Sequence, residues 1–177
     1  MNIRPAQQDD IAALQDLIER SARALSVQDY SGQQIDSLVR YVYGVDSQLI
    51  ADGTYFVIER EDEPLACGGW SKRGTLFGGD QAKGAIDPLL DPSTDAARIR
   101  AFFVHPDAAR QGLGRRLLET CIAAARQAGF RRLELMATLP GERLYRALGF
   151  QSAPAVEHQM PDGVRVRFVP MFMPIDE

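Results

Sequence analysis

A chain of 177 residues is long enough to bury one proper hydrophobic core and short for two independent ones. Its 24 acidic residues outnumber 20 basic ones, giving a formal charge of −4, which argues against non-specific nucleic-acid binding as its main task. Two cysteines (Cys67, Cys121) and two histidines (His105, His158) lack the spacing of a disulfide scaffold or a zinc site, and no apolar run approaches membrane-spanning length. The start "MNIRPAQQDDIAAL" has neither the apolar core nor the cleavage pattern of a secretory signal. The expectation is one cytoplasmic domain over residues 1–177, without metal, nucleic acid or membrane partner.

In chain order, "MNIRPA" reads as a first strand, and a helix capped near Asp9 follows with Ile11, Leu14, Leu17, Ile18 and Leu25 on one face. A second helix starts at Ser31, with Gln34 three residues on as a capping box, and turns Ile35, Leu38, Val39 and Val42 inward until Gly44. Residues 54–61 and 65–71 form a hairpin around the charged turn "EDEP". Residues 72–95 show no period; a loop that long is functional or disordered, and its Leu76, Phe77, Ile86, Leu89 and Leu90 predict that much of it docks on the body as a lid. "ARIRAFFV" (97–104) is the clearest strand, followed by a helix over 112–128 that Gly129 terminates. "RRLELMA" is a strand, "GERLYRAL" a short helix, and "FQSAPAVEH" and "VRVRFVPMFM" a final hairpin around "PDG". The sum is a mixed α/β (α+β) fold: a central, mostly antiparallel sheet covered by helices.

One stretch asks for a chemical explanation. In "HPDAARQGLGRRLLE" (105–119) a strand leads through a turn into a helix whose mouth holds Gly112, Gly114, Arg110, Arg115 and Arg116. The first N–H groups of a helix have no internal partner and carry the positive end of its dipole, so this is an anion cradle, with the glycines admitting a phosphate to the amides. Leu117 stands where a dinucleotide fingerprint needs a third glycine, and the Gly-Lys-Ser/Thr of a Walker loop is missing.

"FFVHPDAARQGLGRRLL" resembles the coenzyme A loop of the GNAT superfamily of N-acetyltransferases, whose Arg/Gln-x-x-Gly-x-Gly/Ala signature falls on Ala109, Arg110, Gln111, Gly112, Leu113 and Gly114. Ala109 departs from the usual Arg or Gln, with Arg110 next to it. "TLPGERLYRALGF" (138–150) resembles a second family segment, placing Thr138 on its asparagine position and Tyr145 on its general-acid position. The resemblance implies a GNAT-like sheet of about seven strands flanked by about four helices. It also implies acetyl-CoA as cofactor and a small-molecule or peptide amine as the other substrate. The diphosphate would lie on the amides from Ala109 to Gly114, with Arg115 adding charge. The pantetheine arm would follow the strand through Phe102, Phe103 and Val104, where the family carries a bulge. The Val104 amide would face the thioester oxygen and Tyr145 would protonate the leaving thiolate.

The acceptor's proton has no obvious taker: the central strand offers Arg98 and Arg100 but no carboxylate, leaving a water chain, Glu134 or no dedicated base. Tyr30 and Trp70, with Tyr41 and Tyr43, are the aromatic candidates for an acceptor wall, against the commoner role of such residues in a core or rim. An exposed final strand would suit a homodimer. The alternative of another class is a non-catalytic acyl-CoA-binding sensor, which would have no use for a proton donor at Tyr145.

Overall fold

The computed structural model describes residues 1–84 and 86–176. Its elements are β1 (Asn2–Pro5), α1 (Ile11–Leu25), α2 (Gly32–Tyr41), α3 (Ser47–Ala51), β2 (Tyr55–Arg60), β3 (Glu63–Ser71), β4 (Ala97–Val104), α4 (Leu113–Gln127), β5 (Arg132–Thr138), α5 (Leu139–Ala147), β6 (Gln151–Ser152), β7 (Val156–Gln159) and β8 (Arg165–Pro174). The strands form one sheet in the order β1-β2-β3-β4-β5-β8, with β6 and β7 both on the far side of β8. Every pairing is antiparallel except β4 with β5.

Local chemistry explains most element boundaries. The Ser31 hydroxyl accepts from the Gln34 amide at 3.1 Å while the Gln34 side chain accepts from the Ser31 amide at 2.9 Å, a complete capping box. Glu61 and Asp62 both take positive φ (50° and 65°), the geometry a tight hairpin between β2 and β3 needs. Gly129 closes α4 at φ 94°.

Two helical layers sandwich the sheet. Leu14, Ile18 and Leu38 of α1 and α2 pack with Tyr55, Val57, Cys67 and Phe168 on one face. On the other, Leu118, Cys121 and Ala125 of α4 and Tyr145 of α5 pack with Ile99, Leu133, Leu135 and Met171. Each fully buried aliphatic side chain here contributes about 1.5–3 kcal/mol. Among the described residues, no helix is long and apolar enough to cross a membrane.

Several expectations are corrected. The described residues form eight strands and five α-helices, one more of each than the approximate numbers expected: the strand expected before the "PDG" turn is broken at Pro154 into β6 and β7, and "SQLIA" forms the one-turn α3. Leu25, at the C-terminal end of α1, is 39 % exposed rather than inward. The 72–95 segment docks only in part: Leu76 and Phe77 are half-buried, whereas Ile86 and Leu89 stand 84 % and 65 % exposed. Where the lid expectation falls on position 85, it lies outside the described residues. The last strand, β8, is paired on both sides and so presents no free edge to a second copy.

Candidate active site

The parallel pair β4–β5 is joined only at Ala97↔Leu133 and Arg98↔Glu134, although both strands continue for several residues. Beyond that point they diverge. Between the pairs Gly69↔Arg100 and Cys67↔Phe103, one residue of β3 (Gly68) opposes two of β4 (Ala101 and Phe102), which is a β-bulge. Ala101 adopts φ 53°, unusual for a residue with a Cβ, and its carbonyl accepts a bond from the buried Tyr55 hydroxyl at 2.9 Å. The position is glycine at 68 because the Phe102 ring lies over it: a Cβ there would sit 2.3 Å from Phe102 Cδ1.

The His105 amide bonds the Leu65 carbonyl, so by alternation the amides of Val104 and Phe102 point away from β3, into the opening. The Val104 amide meets the Ser21 hydroxyl of α1 at 3.3 Å, and Val104 stays outside the cavity that the opening forms. That cavity, about 120 Å³, lies between Ile99–Phe103 on one side and Leu135, Met136 and Thr138 on the other. Phe103 and Phe102, both expected at the site, line it, as do Tyr145, Leu144 and Gly141 of α5.

The cradle stands at the outer end of the same strand. Arg110 (φ 63°) and Gly112 (φ 80°) take left-handed backbone on either side of Gln111, and α4 begins at Leu113. The first α4 bond runs from the Arg116 amide to the Gly112 carbonyl, leaving the Leu113, Gly114 and Arg115 amides without an intrahelical acceptor. Nothing lies within 4 Å of where a Gly112 Cβ would stand, so the space beside the cradle is open. The second glycine answers to a different neighbour, since a Cβ on Gly114 would meet Leu144 Cδ2 at 2.8 Å: its hydrogen lets α5 close against α4. Arg110, Arg115 and Arg116 are exposed and make no ion pair among the described residues; Ala109 ends the 3-10 turn that precedes them.

Tyr145 is buried beside Phe102 and Phe150, at ring separations of 6.0 and 5.6 Å. Burial pushes its phenol well above the ordinary value near 10, so at neutral pH it keeps its proton and can only donate. The same desolvation raises thiols, moving Cys67 up to about 12. Thr138 caps α5, its hydroxyl accepting from the Gly141 amide at 3.2 Å, and shapes the cavity floor.

Other candidates fall elsewhere. The Tyr30 hydroxyl donates to the Arg167 carbonyl at 2.6 Å and accepts from the Leu139 amide at 3.0 Å, tying the loop between α1 and α2 to β8 and α5; it works as a clamp outside the cavity. Trp70 is buried against Phe130 in the core beneath α4 and is absent from the cavity lining. Glu134 is exposed, bonded to Arg98 at 2.7 Å and absent from the lining. Of the aromatic acceptor-wall candidates, Tyr43 does line the cavity, packed edge-on to Phe103 at 5.2 Å.

Sequence reading missed Asp46. It is fully buried, caps α3 through the Gln48 amide (3.0 Å), and pairs with Lys83 (2.6 Å) and the cavity-lining Arg100 (3.1 Å). Its signal was an Asp one residue before a short apolar helix, an N-cap pattern. Burial lowers the Arg100 guanidinium from its ordinary value, and Asp46 opposes that shift.

An opened parallel strand pair, a bulge and the unpaired amides of an adjoining helix start offer room for an extended, anion-headed ligand along a strand. The acetyltransferase (GNAT) family profile matches residues 14–150, and the chain belongs to this family of acetyl-CoA-dependent N-acetyltransferases. No curated protein matches the sequence. Among solved structures, it is similar to the GCN5-related N-acetyltransferase from Rhodopseudomonas palustris at 17 % identity, over 98 % of this chain and 94 % of that one, with TM-score 0.72. It is also similar to yncA from Salmonella typhimurium, solved with its cofactor acetyl-CoA, at 20 % identity over 100 % and 95 % with TM-score 0.64. The PaiA N-acetyltransferase from Thermoplasma acidophilum in complex with coenzyme A matches at 12 % identity over 98 % of each chain, also with TM-score 0.64. At these identities the likeness is one of fold.

Proposed function

We propose that this chain transfers the acetyl group of acetyl-CoA to a primary amine, with the Phe102 amide and the Tyr145 hydroxyl as the groups that act on the reacting atoms. One observation carries the reading: the β4–β5 opening and the unbonded amides of Leu113, Gly114 and Arg115 belong to consecutive elements, so one strand edge leads from a phosphate cradle to an enclosed cavity. The residues fit the ligand, because the left-handed Arg110 and Gly112 turn the cradle amides outward, the space beside Gly112 is open, and three arginines there lack acidic partners.

What acetyl-CoA supplies is a thioester carbon to which an amine nitrogen bonds as the carbon–sulfur bond breaks, so one proton leaves nitrogen, one reaches sulfur, and an amide and a thiol result. The chain's own groups set the conditions. The Phe102 amide lines the opening on the edge that faces away from β3 and donates to the carbonyl oxygen as charge grows there, a role better suited to it than to the Val104 amide, which Ser21 engages. Tyr145 holds a proton at its hydroxyl for the departing sulfur. An ordinary thiol near 8.5 and a phenol near 10 differ by about 2 kcal/mol against donation, but burial raises a thiolate's affinity for protons as it raises the phenol's. No carboxylate lines the cavity among the described residues, so the amine loses its proton to water before it bonds.

The test is Tyr145→Phe. Turnover should fall by about 10²-fold or more, with the coenzyme dissociation constant measured by calorimetry unchanged. Unaltered turnover removes Tyr145 from the chemistry; absence of coenzyme binding in the parent chain removes the reading.

A further inference from the structure

The family reading leaves the amine unspecified, and the cavity's second wall bears on it. Opposite the strand opening, the cavity is bounded by Tyr43, Leu76, Phe77 and Phe168. Arg100 is the only charged side chain on its lining among the described residues, and Asp46 neutralises it from behind without reaching the cavity. A second, outer pocket of about 430 Å³ is lined by Tyr41, Gln81, Ala82, His158, Met160 and Pro161, and shares Val42, Leu76 and Phe77 with the inner one. No carboxylate lines either pocket among the described residues.

Phe77 therefore stands where the two spaces meet. Its ring is edge-on to His158 at 5.5 Å and tilted against Phe168 at 5.5 Å. Its backbone is held in place from inside: Arg100 donates to the Thr75 carbonyl at 3.2 Å and to the Gly78 carbonyl at 2.5 Å, one on each side of Phe77. Buried charge thus fixes the position of an apolar wall. An ammonium entering this path would meet mostly aromatic and aliphatic walls, with the Gln81 amide and His158 as the polar groups of the outer pocket and a guanidinium in the inner one, and no carboxylate to pair with it; a buried cation in that setting gives up its proton. A second ammonium elsewhere on the same molecule would be left uncompensated in the outer pocket.

We propose, resting on the acetyltransferase reading above, that the acceptor is a small monoamine carried on an apolar, aromatic body, bound in its neutral form, with Phe77 as the residue that selects for that body. The amine nitrogen occupies the inner cavity, and the ring lies against Phe77 in the outer pocket. Polyamines and aminoglycosides, which carry several ammonium groups, are disfavoured by the same walls.

The experiment compares phenethylamine, spermidine, an aminoglycoside and a short lysine peptide as acceptors with acetyl-CoA, following thiol release and product mass, with calorimetric titration of phenethylamine into the coenzyme-bound chain as a second readout. Phenethylamine should show the highest kcat/KM, exceeding spermidine by about tenfold or more. Phe77→Ala should raise its KM and its dissociation constant about tenfold while coenzyme affinity stays put, and Phe77→Leu, which retains apolar bulk, should recover most of the loss. Thermal melts of both variants check that they fold. Preference for spermidine, the aminoglycoside or the peptide overturns this inference and leaves the transferase reading standing, as does a Phe77→Ala chain that folds and binds phenethylamine unchanged. Silence with every amine, in a chain that binds acetyl-CoA, overturns both.

Discussion

Replacing Asp46 by asparagine should be among the most damaging conservative changes available in this chain. Asp46 and Arg100 have side chains 0 % and 1 % exposed, and Oδ2 of Asp46 lies 3.1 Å from the Arg100 guanidinium. Its other oxygen serves the Gln48 amide and the Lys83 ammonium. An amide in place of the carboxylate would keep one acceptor oxygen, turn an NH₂ toward a cation, and strand a guanidinium in the interior with only the carbonyls of Thr75 and Gly78 for company. Breaking such a buried pair from one side costs about 3–5 kcal/mol, a large part of the about 5–15 kcal/mol that holds a domain of ordinary stability. The partly exposed pair Arg73–Asp52, with bonds of 2.8 and 3.0 Å, is the internal control: Asp52→Asn should cost about 1 kcal/mol or less. Urea unfolding of the two single variants gives the contrast directly. Arg100→Met added to Asp46→Asn should restore much of the loss, since it removes the stranded charge. An Asp46→Asn chain within about 1 kcal/mol of the parent, or a double variant no more stable than the single, would show that the buried charge pair is not what stabilises this corner.

Two further outcomes follow from the bulge and from the acid pairs. Gly68→Ala places a Cβ 2.3 Å from Phe102 Cδ1 and should cost about 1–3 kcal/mol, with loss of activity through displacement of the cavity-lining ring; an active variant with an unshifted thermal midpoint would refute that packing argument. Bonds from Arg4 and Arg73 hold Asp10 and Asp52 below their ordinary carboxyl value of 3.8. Groups with depressed folded values stabilise the fold above the unfolded value and lose that contribution as pH falls through the folded one, so urea midpoints should hold steady from about pH 7 to 5 and drop below about pH 4. Asp52→Asn should make the drop shallower; an identical acid profile would remove Asp52 from that account.

Much of the architecture was readable from local pattern. Ser31 with Gln34, Gly129 after an amphipathic run, and the alternation of "ARIRAFFV" each specify their element within a few residues, because capping, left-handed backbone and strand alternation are properties of neighbours in sequence. The turn into α4 was readable for the same reason, since strand, turn and helix start are contiguous. Gly114 has a packing reason that local pattern could not show: a Cβ there would meet Leu144, 30 positions away in α5.

The acceptor wall was not readable. Trp70, Tyr30 and Tyr43 are all aromatic, all buried, and all near element ends, yet only Tyr43 reaches the cavity. Which one does so depends on where β4 and β5 part after Arg98↔Glu134 and on the bulge at Ala101, which shifts strand parity by one residue and turns Phe102 over Gly68. Glu134 lies on an outer strand face with Arg98, and Asp46, which local pattern did not single out, is enclosed behind Arg100 for the same reason. Sequence alone determined the elements, their caps and the glycine-flanked helix start at 112–114, since periodicity and backbone conformation act over a turn or two. Tertiary structure alone decided which side chains share the cavity and that its described walls carry no carboxylate, because those facts are set by strand divergence and by contacts between residues tens of positions apart.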